Sequence, residues 1–291
     1  MKKSKKKITN IFLSIIKRVF PEKIYAFILY LRSKRKFKKE LNKPKSFKKF
    51  SNNLDKINDY EFKITSQNNE DGLIDYIFSK IPHQKKFLEI GFDFYEFNSL
   101  NLIKNNWKGA LIDFNKEECL ILKNLLKSFF PTNKVKVKNF EITKDNINSI
   151  VYENDTDLID FFSLDVDGND YWVLKELNLS RINVVCCEYN HWLGKNVKKT
   201  IPYNNKHKFQ DDGYYGASLG AINNLLDNKG FDLIAVDSSG TNAFFVSKKF
   251  SNRFEKLSPV TSWKPGVRFY SQNRKKEILE NINTFDFIDI V

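Results

Sequence analysis

Carboxylates crowd one short stretch of this chain. Asp165, Asp167 and Asp170 fall within six residues, and Glu188, Asn190 and His191 follow after a second apolar run. A carboxylate or a neutral imidazole beside an acceptor hydroxyl removes its proton as a general base, which makes Asp165, Glu188 and His191 candidate catalytic groups. Asp165, Glu188 and Asn190 also form an oxygen-rich set of the kind that Mg²⁺ or Ca²⁺ prefers. Each group has a structural alternative. Asp165 suits the N-cap of a following helix, Asp167 and Asp170 suit turn and capping chemistry, and His191 suits a surface loop.

These groups need elements that bring them together. Phe161, Phe162, Leu164 and Val166 make a near-continuous apolar run, the pattern of a central parallel strand covered on both faces, with the carboxylates at its carboxyl end. Glu188 closes a second such run, Val184-Val-Cys-Cys187, where an ionised side chain is costly unless it faces a cleft or a partner. Open α/β sheets bind ligands outside the carboxyl ends of their strands.

The same rhythm extends through the chain. Strands are predicted at 86–90, 109–114, 135–140, 158–166 and 183–188, with helices over 97–106, 116–129, 144–151 and 171–177 between them. A helix over 218–229 then leads to two apolar strands, 231–236 and 242–246, joined by the turn Asp237-Ser-Ser-Gly-Thr241 and therefore antiparallel.

Three short pieces carry a resemblance. Phe87-Leu-Glu-Ile-Gly91 resembles the first strand and glycine turn of the class I S-adenosylmethionine-dependent methyltransferases. Leu111-Ile-Asp113 is similar to their second strand, whose terminal acid meets the ribose hydroxyls, and the closing hairpin suits their sheet. More narrowly, several pieces in their joint order resemble a bacterial methyltransferase-like family related to the FkbM group: Ser66-Gln67 with Glu70-Asp71, the 163–171 stretch, Glu188-Tyr-Asn190, Gly216-Ala-Ser-Leu219 and Asn242-Ala-Phe-Phe-Val246.

The resemblance implies a seven-stranded, mostly parallel Rossmann-like α/β sheet with helices on both faces. It implies S-adenosylmethionine as cofactor, held by Glu89, Gly91, Asp93, Asp113 and Asp165, and a glycan or lipid-linked sugar as acceptor. One departure is plain: Phe92-Asp-Phe-Tyr95 stands where that superfamily usually continues with small residues. A catalytically inactive domain with a binding or scaffold role is the competing expectation. Asp93 reads equally as a cofactor-binding acid and as a helix cap.

Charge divides the chain unevenly. The formal net charge is +14, but residues 1–50 hold 18 Lys/Arg and 2 Asp/Glu, a net of +16, leaving 14 − 16 = −2 for the remainder. A nearly neutral body argues against nucleic acid as the partner. The arm combines Ile8, Ile11, Phe12, Ile15, Ile16, Val19 and Phe20 at helical spacing with flanking lysines, a pattern suited to an anionic membrane surface or to docking on the body. Its apolar runs are too short to span a bilayer, and the three cysteines, with no paired spacing, read as core residues of a cytoplasmic protein; the membrane alternative for the arm would make it peripheral at the inner membrane surface.

The expected organisation is an arm over 1–50, a linker over 51–72, the catalytic domain over 73–250 and an extension over 251–291. The long loop from His191 to Tyr215 carries Trp192, Tyr203, Phe209, Tyr214 and Tyr215, aromatic content that suits stacking on sugar rings. No chemistry is read in the extension, and none at His83 or His207.

Overall fold

A computed structural model describes residues 22–42, 57–94, 96–152, 158–266 and 270–291. In chain order the elements are α1 (Glu22–Leu41), α2 (Glu70–Lys80), β1 (Lys86–Ile90), α3 (Leu100–Lys104), β2 (Lys108–Asp113), α4 (Lys116–Phe129), β3 (Val135–Asn139), α5 (Ile147–Tyr152), β4 (Ile159–Leu164), α6 (Asp170–Glu176) and β5 (Ile182–Glu188). They continue as β6 (Lys199–Thr200), α7 (Leu219–Asn228), β7 (Phe231–Val236), β8 (Asn242–Ser247), α8 (Pro259–Ser262), α9 (Gln272–Ile282) and β9 (Ile288–Asp289).

Seven strands form one sheet in the order β3-β2-β1-β4-β5-β8-β7. Pairings from β3 through β5 are parallel, and β8 runs antiparallel to both β5 and β7. The order reverses between β1 and β4, which places a crevice at their carboxyl ends. This is the Rossmann-like class I methyltransferase arrangement that the rhythm and the closing hairpin predict.

Burial on both faces explains the apolar runs. Along β5, Val185 and Cys187 pack into one layer with Val173, Leu174 and Ile222. Val184 and Cys186 pack into the other with Leu73, Ile77, Leu122 and Leu125. The period of two carries alternate residues into opposite layers, so a polar side chain within a strand needs a partner, as Asp160 has in Asn183 Nδ2, which donates to it at 2.9 Å. All three cysteines are buried and free. Helix starts follow local chemistry: the Asn115 side chain accepts from Glu117 and Glu118 amides to cap α4, and Ser218 Oγ accepts from Ala221 N to cap α7.

Two expectations about organisation change. Residues 51–72 read as a linker, but from 57 onward they are built into the domain, and α2 begins at Glu70. Phe62, Ile64, Ser66, Glu70 and Asp71 are all buried. The segment looks polar because it is held by polar groups: Asp71 Oδ2 accepts from the amides of Ile64 (2.7 Å), Thr65 (2.9 Å) and Ser66 (3.0 Å) and from Ser66 Oγ (2.8 Å).

The arm also divides. Residues 1–21 and 43–56 lie outside the described residues, and with them the amphipathic pattern from Ile8 to Phe20. The basic stretch that follows belongs to α1, which docks on α4: Phe37 is buried 5.3 Å from the Phe129 ring, and Tyr30 Oη and Ser128 Oγ share a hydrogen bond of 2.8 Å. Among the described residues no helix is long and apolar enough to cross a membrane.

Candidate active site

Gly91 ends β1 with φ +77°, a conformation that favours glycine. A β-carbon there would lie 1.6 Å from the Asp165 carbonyl oxygen. The glycine is therefore required by the contact between β1 and the end of β4, before any ligand is considered. Of the bulky residues that follow, Phe92 turns into the core: it is buried and packs 6.4 Å from Phe97. Its backbone instead turns to the neighbouring strand, and Phe92 N donates to Asp113 Oδ2 at 3.3 Å.

Asp113 ends β2 and is nearly buried. Its other oxygen accepts from Asn115 N at 2.6 Å, so each carboxylate oxygen keeps a further acceptor site. Burial raises its pKa, and the charges of Asp167 and Asp93 add to the effect. Glu118, on the first turn of α4, is pushed up to about 7 by burial and then by Asp93 and Asp113. Four carboxylates thus share one rim above β1, β2 and β4.

Glu89 belongs elsewhere. Its oxygens accept from Asn98 N and Ser99 N, both at 2.8 Å, and burial raises its pKa to about 7. Expected at the cofactor, this carboxylate faces the start of α3 and fixes the turn between Gly91 and Leu100. Asp93 is exposed and does not cap α3, whose N-cap is Ser99; its carbonyl accepts from Glu96 N in a tight turn.

At the end of β4, Asp165 is half-buried and its Oδ1 accepts from Asp167 N at 3.4 Å. It does not cap α6, which starts five residues later with Asn169 as N-cap. Asp170 is the structural member of the trio: it accepts from Val166 N (2.9 Å) and Gly168 N (3.0 Å), and burial raises its pKa to about 6. Asp167, with φ +55°, stands exposed at the tip of this turn.

Glu188 ends β5 half-buried and pairs in register with Asn242 of β8. Asn190, two residues on, is fully buried and committed. Its Nδ2 donates to the carbonyls of Gly213 (2.9 Å) and Tyr215 (2.8 Å), and its Oδ1 accepts from Trp192 N (2.9 Å). The expected cation set of Asp165, Glu188 and Asn190 is therefore not assembled, since the amide oxygen of Asn190 serves the loop. Among the described residues no group of three His, Cys, Asp or Glu side chains is disposed to hold a metal.

Beside Glu188 opens a cavity of about 230 Å³. Glu188, His191, Trp192, Asp211 and Tyr215 line it from β5 and the long loop, Gln67 and Asn68 from the segment before α2, and Thr241, Gly266 and Tyr270 from the hairpin turn and the C-terminal segment. The His191 ring lies against Gly266, where a β-carbon would approach its Cε1 to 2.3 Å.

Sequence reasoning missed the contributions of Gln67, Asn68, Thr241, Gly266 and Tyr270, which come from segments read as linker, turn and chemically silent tail. The signal for the first pair was the adjacent Glu70-Asp71. Glu70 accepts from Asn68 N (2.7 Å) and Nδ2 (3.1 Å) and from Asn242 Nδ2 (2.8 Å), fastening the segment to β8. The two histidines expected on the surface also have packing roles. His207 lies over Gly168, where a β-carbon would come within 2.3 Å of its Cδ2, and His83 stacks on Trp107 at 5.1 Å.

No protein family and no curated protein sequence matches the chain. Solved structures with a similar fold include a methyltransferase of Clostridium acetobutylicum that uses S-adenosylmethionine (11% identity, 61% of this chain and 90% of that one, TM-score 0.41). Others are the magnesium protoporphyrin IX methyltransferase of Synechocystis with S-adenosylmethionine bound (8%, 61% and 77%, 0.39) and the N-terminal domain of EvdMO1 with S-adenosylhomocysteine bound (11%, 75% and 94%, 0.42). The fold of this chain rests on its own strand pairing: it is the Rossmann-like class I methyltransferase fold.

Proposed function

We propose that this protein is an S-adenosylmethionine-dependent methyltransferase acting on a hydroxyl or carboxyl oxygen of a glycan or lipid-linked sugar. The observation that carries the reading is Asp113, a carboxylate at the end of β2 held by Phe92 N of the glycine turn, with acceptor sites left for two ribose hydroxyls. The surrounding acids suit the cofactor too, because Asp93, Glu118 and Asp167 supply negative potential for a sulfonium and an ammonium group. Burial of Phe92 takes the first bulky side chain of the Phe92–Tyr95 turn into the core, which supports an active enzyme over an inactive domain.

When bound, S-adenosylmethionine supplies an electrophilic methyl group that passes to the acceptor oxygen, leaving S-adenosylhomocysteine. The protein aligns the acceptor and takes its proton. Orientation of this kind contributes several kcal/mol, on the order of 7–11 at its upper range. Leu164 and Cys187 are paired, so Asp165 and Glu188 follow at the ends of adjacent strands, roughly 4.8 Å apart in the hydrogen-bonding direction. Glu188 and His191 also line the cavity, which favours them as the base when the acceptor is a hydroxyl.

We place the catalytic unit over residues 57–250, with α1 docked on it and residues 1–21 as the part available to an anionic membrane surface. Calorimetric titration of the full chain with S-adenosylhomocysteine tests the activity. One-to-one binding in the micromolar range is expected; absence of heat from a folded sample overturns the reading.

A further inference from the structure

In the sheet β1 and β4 lie between β2, which Asp113 ends, and β5, which Glu188 ends; the walls of the cavity beside Glu188 come from three parts of the chain. We infer that it is the acceptor subsite, that it holds a single sugar ring, and that Tyr270 of the C-terminal segment is its stacking platform. The inference rests on the methyltransferase reading for what happens to that ring, but not for the binding itself.

Size sets the first limit. About 230 Å³ falls below the range of roughly 300–1,000 Å³ typical of drug-sized ligands, so one ring fits and a disaccharide extends outside. The lining sets the second. Trp192, Tyr215 and Tyr270 present aromatic surface, while Glu188, Gln67 and Asn68 present carboxylate and amide groups. Sugar rings need both, since their C–H faces stack on aromatic rings and each hydroxyl both donates and accepts. A phenolic ring stacks equally well but carries at most two hydroxyls, so it meets fewer of these polar groups than a sugar ring does.

The cavity is also built in advance. Tyr270 Oη donates to Asp211 Oδ1, and Arg274 Nη2 donates to the Asp211 carbonyl at 2.8 Å. The Trp192 and Tyr270 rings meet edge to face at 5.5 Å. Ile278 of α9 is fully buried and reaches the loop at Gly213, where a β-carbon would lie 2.7 Å from its Cγ2. On the opposite wall Glu70 holds Asn68 by two hydrogen bonds. Asp211 itself adopts φ +57°, a conformation uncommon for a residue other than glycine, and the Tyr270 and Arg274 contacts hold it there. Gly266 and Tyr270 of the C-terminal extension are thus part of the wall of the cavity.

Saturation-transfer NMR on the full chain, with a panel of methyl hexosides and methyl 6-deoxyhexosides and with catechol as the phenolic control, tests this. At least one glycoside is expected to receive saturation at its ring C–H protons, and catechol to receive less. Tyr270→Ala should lower the glycoside signal at least fivefold while Tyr270→Phe, which keeps the ring, retains most of it; both should bind S-adenosylhomocysteine as the unaltered chain does. No glycoside signal from the unaltered chain, a stronger catechol signal, or an unchanged signal in Tyr270→Ala overturns the inference. Glycoside binding without S-adenosylhomocysteine binding would keep the subsite and sink the methyltransferase reading. If Tyr270→Ala does not fold, loss of signal in Asn68→Ala tests the opposite wall, and an unchanged signal there overturns the inference.

Discussion

Phe92 N donates to Asp113 Oδ2 across two neighbouring strands, so the residue that departs from the usual glycine pattern is the one that orients the acid. Phenylalanine is tolerated because the contact uses its backbone while its ring enters the core. Asp113→Ala is expected to weaken S-adenosylhomocysteine binding at least tenfold, about 1.4 kcal/mol, by calorimetry. An unchanged affinity in a folded variant would remove Asp113 from the site.

Glu89 makes stability depend on pH. Its folded pKa of about 7 lies above its ordinary 4.5, so between those values the folded protein binds more protons than the unfolded chain. Its contribution is therefore present at low pH and lost as pH rises from about 4.5 to 7, on the order of 3 kcal/mol in all. Asp170 and Asp237, raised by burial to about 6 and about 7, act in the same direction. The melting temperature should be higher at pH 5.5 than at pH 8. Glu89→Gln should lower it at both values and shrink the difference between them; an undiminished difference contradicts this account.

Asp71 acts as a staple. Asp71→Ala leaves three backbone amides of residues 64–66 without their acceptor, at a cost of roughly 3 kcal/mol or more. Hydrogen exchange should accelerate over residues 61–68 before the sheet is affected. Protection of that segment equal to the unaltered chain would show that the sheet contacts alone hold it.

The membrane expectation calls for a shorter deletion than charge alone suggests. Removing residues 1–50 would strip α1, whose Phe37 is buried, whereas removing 1–21 takes seven Lys/Arg and leaves the described helix intact. At about 1 kcal/mol for each basic residue near an anionic surface, deletion of 1–21, which carries seven of the arm's 18 Lys/Arg, should weaken sedimentation with phosphatidylserine vesicles at low salt at least tenfold and leave the melting temperature unchanged. Undiminished sedimentation would exclude residues 1–21 as the anchor.

Much of the fold was legible because apolar runs over β4, β5, β7 and β8 have one physical meaning: strands buried on both faces. The candidate site was legible at strand ends, where Asp113 closes β2 and Glu188 closes β5. Glu89 misled because an acid beside a glycine turn reads alike whether it faces a ligand or caps a helix start. Residues 57–72 misled because Asp71 and Glu70 anchor them through hydrogen bonds, which leave no hydrophobic periodicity. Tyr270 and Gly266 were hidden by distance along the chain, since nothing local connects them with Glu188.

That distance also orders events in time. The cavity walls at Asn68, Trp192 and Tyr270 together span about 200 positions, whereas neighbouring strands such as β1 and β2 join over a short crossover. Contacts closing long loops form late and open early, so the sheet condenses first and the cavity is the last part to take shape. In refolding, far-ultraviolet ellipticity should recover ahead of the Trp192 environment, followed in a chain with its other three tryptophans replaced by phenylalanine; simultaneous recovery would place cavity and sheet in one cooperative unit. Newly made chains are therefore expected to pass through an interval in which the carboxylate rim at Asp113 is complete while the cavity beside Glu188 has yet to close.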